Sequence, residues 1–200
     1  MAKHKSKEER FAQIMEAAFI CFSEKGFDKT SLQEIADMAN VSKGAIFYHF
    51  ENKKALIMAL IENFFEKFIN DIIVYFKENQ DKKLIILIED MFKNYMKSID
   101  EIDKYFKLIL EFWSHSAADE DIHNNIIKYY GLLTDNISEY FKLAINRGEI
   151  NNYNPKHIAI ILANIMDMIA FDYMYLSKEI DIIELKDTLM QMLKSWLIKN

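Results

Sequence analysis

The sequence predicts an all-α protein, on three observations. Only four of its 200 residues are glycine and one is proline, too few for the turns of a hairpin-built fold. Apolar residues recur at three- and four-residue spacing in one segment after another, the period of a helix with one buried face. Short stretches of turn-forming residues separate those segments, as at Gly148 to Asn154 and Ser177 to Asp181. With 51% hydrophobic and 28% charged residues, the chain can bury a core as one domain or as a small domain fused to a larger one.

The first helix is expected over about Lys7 to Lys25, with Phe11, Ile14, Met15, Ala18 and Phe22 on one face and Gly26 as its stop. Thr30 or Ser31 can cap a second, short helix whose inward stripe is Leu32, Ile35, Ala36 and Ala39. Ser42 caps a third, and Asn52 a long fourth that carries Ile57, Leu60, Ile61, Phe64, Phe65, Phe68 and Ile72. Five further amphipathic segments follow, at about Lys82 to Ile99, Ile102 to Ala117, Asp121 to Arg147, Pro155 to Leu176 and Ile182 to Ile198. Turns are expected between them, including one at Asp100 to Asp103. Asn154-Pro155 reads as an N-cap followed by proline at the first helical position, where a missing amide hydrogen costs nothing.

Lone Cys21 cannot form an internal disulfide, and the opening "MAKHKSKEER" has no apolar segment of the signal-peptide kind, so a cytoplasmic protein is expected. The most apolar run, "HIAIILANIMDMIAF", is interrupted by Asn164 and Asp167 and is expected as a buried helix rather than a membrane span. Net charge is −6, but unevenly spread: residues 1–60 hold nine Lys/Arg against eight Asp/Glu, the remainder sixteen against twenty-three. An acidic body with a locally basic head can bind DNA through the head.

The third helix, in "VSKGAIFYHFENKKAL", starts with a glycine that costs about 1 kcal/mol relative to alanine. At 100° per residue, Ile46, Phe47 and Phe50 are expected to face the core, and Gly44, Ala45, Tyr48 and His49 to face out. Lys43, Lys53 and Lys54 bracket the outward set. A face that begins almost bare lets the helix backbone approach base edges in a major groove while flanking groups hold phosphates. Two short helices joined by a tight turn, the second presenting its N-terminal end, make a helix-turn-helix.

From Arg10 to Leu60 the chain resembles the DNA-binding domain of TetR/AcrR-family transcriptional repressors. The resemblance is carried by Ile14, Ala17, Ala18, Phe22, Gly26, Phe27, Thr30, Ser31, Ile35, Ala36, Val41, Ser42, Gly44, Ile46, Phe47, Phe50, Lys53 and Leu56, in register without gaps. It implies a three-helix head, residues 1–52, joined by the long fourth helix to a ligand-binding and dimerisation domain, residues 53–200. Thr30, Ser31, Tyr48 and Lys53 would then meet phosphates, and Gln33, Lys43, Gly44, Ala45 and His49 bases or the groove floor, with Ser42 at the cap between. The family usually has tyrosine where Phe47 stands and a polar residue such as threonine at Ala45. Base reading therefore falls to Lys43, Gln33 and the Ala45 methyl, which suits a thymine methyl.

The last two helices carry wide apolar stripes, which the resemblance assigns to a homodimer's four-helix bundle with Ile161, Ile165, Ile169, Leu189, Leu193 and Trp196 at its interface. The middle helices concentrate aromatics, and in such a family they would enclose an inducer pocket. Its expected lining is Tyr95, Phe106, Ile109, Phe112, Trp113, Tyr129 and Leu133. Glu111, Asn164, Asp167 and Asp172 are candidate anchors, and an acid among aromatics favours cationic ligands beside apolar or aromatic ones. Glu111, His115, Asp119 and His123 recur every four residues, but along a continuous helix the outer pair would stand about 18 Å apart, too far for one ion. No nucleophile comes with a base and an orienting acid, and no glycine-rich loop cradles phosphate, so neither enzyme, metal nor cofactor is expected. The expected function is a ligand-responsive repressor binding a palindromic operator as a dimer. The other reading is a small-molecule-binding helical protein that has lost sequence-specific DNA binding, motivated by Ala45 and Phe47.

Overall fold

The computed structural model describes residues 6–97 and 99–198, with the side chains of residues 95–103 outside the description. Among the described residues there are nine helices: α1 (Lys7–Lys25), α2 (Leu32–Met38), α3 (Lys43–His49), α4 (Lys53–Glu78), α5 (Leu84–Lys97), α6 (Ile99–Ser116), α7 (Glu120–Asn146), α8 (Pro155–Leu176) and α9 (Ile182–Leu197). Helix α6 begins at Ile99, so the turn expected at Asp100 to Asp103 lies instead inside its first turns. The chain divides into two compact units, Met1–Phe64 with Lys107–Ile127, and Phe65–Phe106 with Lys128–Asn200. The first of these reaches past residue 52, taking in the start of α4 and the segment around the α6–α7 turn.

In the first unit the caps are local and complete. Ser6 and Glu9 close a capping box at the start of α1, and Ser31 with Glu34 closes another on α2. Ser42 accepts a hydrogen bond from the Ala45 amide on α3, and Asn52 Oδ1 accepts one from the Ala55 amide at 2.9 Å. Gly26 ends α1 at φ +80°, a backbone L side chains rarely adopt, and a Cβ there would stand 2.9 Å from Glu111 Oε1. The conformation requires glycine, and a Cβ would also press on the Glu111 carboxylate. Ile14, Phe22, Phe27, Ile35, Ile46 and Leu56 are buried beneath the three short helices, with Phe22 set edge-on to Phe27 at 4.8 Å.

The second unit packs around Phe76, Ile88, Phe92, Phe141, Ala159, Ile169 and Leu193. Phe76 stacks on Tyr140 at 3.9 Å, and Phe65 on Tyr129 at 6.0 Å. Asn154 caps α8 ahead of Pro155, and Asp181 caps α9. After α7, the amide of Asn151 donates to Leu197 O at 2.7 Å and Ile150 pairs with Ile198, which ties the end of α9 down. Helix α8, with 22 residues, is long and apolar enough to cross a membrane by length and composition alone. It is nonetheless a bundle helix: Ile158, Ala159, Leu162, Ile169 and Ala170 are buried within the chain, and Asn164 Oδ1 accepts a hydrogen bond from the Tyr130 hydroxyl at 3.0 Å.

Candidate nucleic-acid interface

Helix α3 is seven residues long and fully buries only Ile46, leaving Lys43, Gly44, Phe47 and Tyr48 exposed. Gly44 is open: an added Cβ would meet nothing nearer than Ser42 Oγ at 3.7 Å. Lys43 and Gly44 are exposed beside it, Ala45 is half-buried, and Tyr48 is 69% exposed with the Lys7 ammonium 5.5 Å from its ring centre. Phe47, expected in the core, is instead 49% exposed, with the Lys43 ammonium 5.8 Å from its ring. One step of 100° from Ile46 carries its side chain off the buried stripe, and the i, i+4 spacing sets it beside Lys43.

His49 is half-buried, its ring 5.8 Å from Phe11 and 5.1 Å from Tyr48. Burial, reinforced by the charges of Lys7 and Arg10, lowers its pKa from the ordinary 6.5, so near neutral pH it offers the face a neutral ring rather than a cation. On α2, Gln33 is exposed and donates to Asp37 Oδ1 at 2.8 Å, a bond it would exchange for any base it reads. Ser31 is exposed, but its oxygen already accepts from the Glu34 amide at 3.2 Å. The Lys25 ammonium, bonded to Glu34 at 2.6 Å, and the Ser31 amide hold that carboxyl down at about 2, so the cap stays charged.

One expected phosphate contact, Thr30, and one of the bracketing lysines, Lys54, are occupied within the fold. Thr30 is 2% exposed, and its hydroxyl donates to the carbonyls of Gly26 at 2.8 Å and Cys21 at 3.2 Å. It seals the end of α1 to the start of α2 and cannot reach DNA. Lys54 is paired with Asp119 at 2.8 Å and Asp121 at 2.6 Å. Lys53 is half-buried and donates weakly to Asp28 O at 3.4 Å, which leaves it the more available of the two lysines.

Sequence reasoning missed a set of clamps in this unit. Glu111 of α6, read as a ligand anchor, accepts a hydrogen bond from the Phe27 amide at 2.8 Å. Phe112, expected in the ligand pocket, packs on Phe27 at 5.6 Å and Phe64 at 6.2 Å, and is buried. His115 lies 5.0 Å from the Phe27 ring and 3.4 Å from Asp28 Oδ1, while Asp119 caps α7 and pairs with Lys54. The four-residue spacing of Glu111, His115 and Asp119 was the visible signal. It marks one face of α6 and the turn after it, set against the segment between α1 and α2.

The other expected lining residues divide between the units. Ile109 is half-buried and Trp113 is 41% exposed in the first unit. In the second, Phe106 is buried edge-on to Phe171 at 6.5 Å, Tyr129 is buried against Phe65, and Leu133 belongs to the core. The side chain of Tyr95 lies outside the described residues. Of the expected dimer residues, Ile169 and Leu193 are buried in the second unit's own core, because that side of each helix turns inward. Ile165, Leu189 and Trp196 are partly buried against the same core, Trp196 also meeting Tyr153 at 5.3 Å, and Ile161 is exposed. Asp167 is half-buried, and burial pushes its carboxyl up to about 6.

Residues 14–60 match the family of bacterial regulatory proteins of the tetR type. Over 158 residues the chain is 26% identical to the biofilm operon icaADBC HTH-type negative transcriptional regulator IcaR of Staphylococcus epidermidis, spanning 78% of this chain and 76% of that protein. It is 44% identical over 64 residues to the HTH-type transcriptional regulator TtgR of Pseudomonas putida, a match of 32% of this chain and 30% of that one. In fold it is similar to a transcriptional regulator from Saccharomonospora viridis solved in complex with choline, at TM-score 0.75 and 14% identity, over 98% of this chain and 100% of that one. The helix-turn-helix segment, residues 14–60, thus belongs with the tetR family of bacterial regulatory proteins, and the chain beyond it is similar in sequence to a transcriptional regulator that carries the same head.

Proposed function

We propose that the chain is a repressor that binds a palindromic operator as a homodimer through α3 and is released by a small inducer. The observation that carries this reading is the outward face of α3, open at Gly44 and bearing exposed Lys43 and Tyr48. Repression follows the IcaR relative, a negative regulator by its name. The reader lies within residues 1–52; ligand binding and pairing fall to residues 53–200. Of the residues assigned to DNA, Ser31, Gln33, Ser42, Lys43, Gly44, Ala45, Tyr48, His49 and Lys53 stay in the proposal and Thr30 leaves it.

Pairing is supported by apolar side chains left outside the core on the last two helices. Ile161, Met168 and Tyr175 are exposed at seven-residue spacing on α8, with Ile183 and Met192 exposed on α9. This set, rather than Ile169 and Leu193, is the proposed interface. It would bring two heads to half-sites about 34–36 Å apart or a multiple of that.

The inducer is a small apolar or aromatic molecule, and half-buried Asp167 favours a cationic one. Asp167 accepts no hydrogen bond among the described residues, and its charge bears on the nearby Tyr130 phenol, whose pKa burial and that charge both raise. A cation beside it would supply the missing partner and favour the charged carboxylate. Helix α6 carries the Glu111 clamp, so a ligand that shifts α6 would strain the Glu111 bond to Phe27 beneath the reader. DNA and inducer would then oppose each other equally, commonly by about 1–3 kcal/mol.

The test is selection of operators from random duplexes, followed by anisotropy titration across salt concentrations. Specific binding that weakens steeply with salt is expected. Lys53→Ala should weaken all duplexes alike, and Lys43→Ala should relax discrimination among bases. No preference for any selected duplex over random DNA would overturn the reading and leave a small-molecule-binding protein without DNA recognition.

A further inference from the structure

We propose that the cleft formed by the end of α4, the start of α5 and the end of α7 is a binding site for a small aromatic anion. The cleft belongs wholly to the second unit and encloses about 200 Å³. That is below the roughly 300–1,000 Å³ usual for drug-sized ligands, so its occupant is a molecule of one or two rings. Its apolar walls are Phe76, Leu84 and Leu87, all buried, with Leu143 at the edge. Phe76 and Tyr140 stack at 3.9 Å, a ready-made aromatic surface for a further ring.

The rim is cationic, against the trend of a domain rich in acids. Lys77, Lys82 and Arg147 stand there with a single acid, Glu149. That acid is already committed: it accepts a hydrogen bond from the Leu84 amide at 2.8 Å and lies 3.7 Å from Arg147. Lys82 is paired with Asp90 at 3.0 Å, and Arg147 donates to Gln80 O at 3.0 Å. Lys77 has no partner among the described residues, nor does the Tyr140 hydroxyl. Two unused donors, one of them charged, beside an aromatic floor call for a ligand with an aromatic body and an anionic acceptor such as a carboxylate. Neither the Asp167 region nor the α3 face shares a lining residue with this cleft, so the inference stands apart from the proposed repressor mechanism.

The experiment is calorimetric titration of the full chain with 2-naphthoate, and with 2-naphthamide as its uncharged counterpart. Saturable binding of one naphthoate per chain is expected, with the amide at least about tenfold weaker, since a charge-assisted contact is lost. Lys77→Gln should weaken naphthoate about tenfold and Lys77→Arg should restore most of it. Leu143→Asp should abolish binding by placing an acid at the mouth; Leu143 is 47% exposed, so the variant should fold, as circular dichroism will check. Asp167→Asn should leave the affinity unchanged. The proposal is overturned if no saturable binding is seen, if the amide binds as well as the acid, if the Lys77 and Leu143 variants bind like the parent, or if Asp167→Asn removes binding.

Discussion

Both compact units pair most of their buried polar groups, the second through the Thr134 and Ser138 hydroxyls, but they differ in one half-buried carboxylate. In the first, the Thr30 hydroxyl meets two carbonyls, the Phe27 amide meets Glu111, and α1, α2 and α3 are each capped by a serine; the exception is Asn125 Oδ1, buried without a partner. In the second, α8 carries Asp167 with burial raising its pKa and no hydrogen bond to offset that cost. A matched polar group holds its neighbours in one arrangement, whereas an unmatched one favours any partner that arrives. The first pattern suits a reader that must present α3 in a fixed pose. The second suits a sensor whose stability should change when a ligand or a proton supplies what is missing.

The largest effect tests whether the reader is as fixed as its contacts imply. Gly44→Glu adds a side chain into open space, so the helical signal and melting temperature should hardly move. DNA affinity should fall about 100-fold or more, since an acid is set against phosphates and groove edges. Loss of helicity would mean that the face is packed and the comparison fails at its first term.

Next in size is Glu111→Ala, which leaves the Phe27 amide without its acceptor. A buried donor so orphaned costs about 1–3 kcal/mol, read by chemical denaturation. Glu111→Gln, which keeps an acceptor oxygen, should recover part of the loss. A neutral result for both would remove the clamp from the account.

Asp167→Asn should act in the opposite direction. With the folded carboxyl at about 6 against an ordinary 3.8, its favourable contribution is present in full below pH 3.8 and lost as pH rises through about 6. Above pH 6 the parent carries a buried charge that the amide lacks, so the variant should be more stable by about 1–2 kcal/mol, the shift being discounted for partial solvent access. Denaturation at pH 5 and pH 7.5 checks this: the gain should shrink at the lower pH, and a gain independent of pH would assign it to packing instead.

The smallest effect belongs to His49. Its folded pKa lies below 6.5, so the unfolded chain takes up the proton first as pH falls. The contribution is present above pH 6.5 and lost as pH drops through the folded value. Hydrogen-exchange protection factors in α1 and α3, taken relative to the intrinsic rate at each pH, should therefore fall on acidification, and His49→Phe should flatten that dependence. An unchanged pH profile in the variant would trace it to other groups.

How much was legible depended on whether a role is set by neighbours along the chain or across it. Helix starts followed from Ser31, Ser42, Asn52 and Asn154, because a cap acts within three residues of itself. The open face of α3 was likewise legible from Gly44 and Ala45. The break before α6 was misplaced because Asp100 to Asp103 resembles a turn as closely as it resembles acids at a helix start.

By itself, then, the sequence determined an all-helical chain, a helix-turn-helix in its first sixty residues and an open face on α3 begun by Gly44, all of which rest on periodicity and local capping. Only the tertiary structure decided which polar side chains are occupied. Thr30 turns inward to two carbonyls, Lys54 is taken up by Asp119 and Asp121, and Glu111 finds the Phe27 amide 84 residues away in the chain. It also decided that Phe47 stands outside and that Ile169 and Leu193 turn inward. A helical stripe wider than its buried strip leaves some apolar residues exposed, and periodicity alone does not say which, since that depends on what packs against the helix.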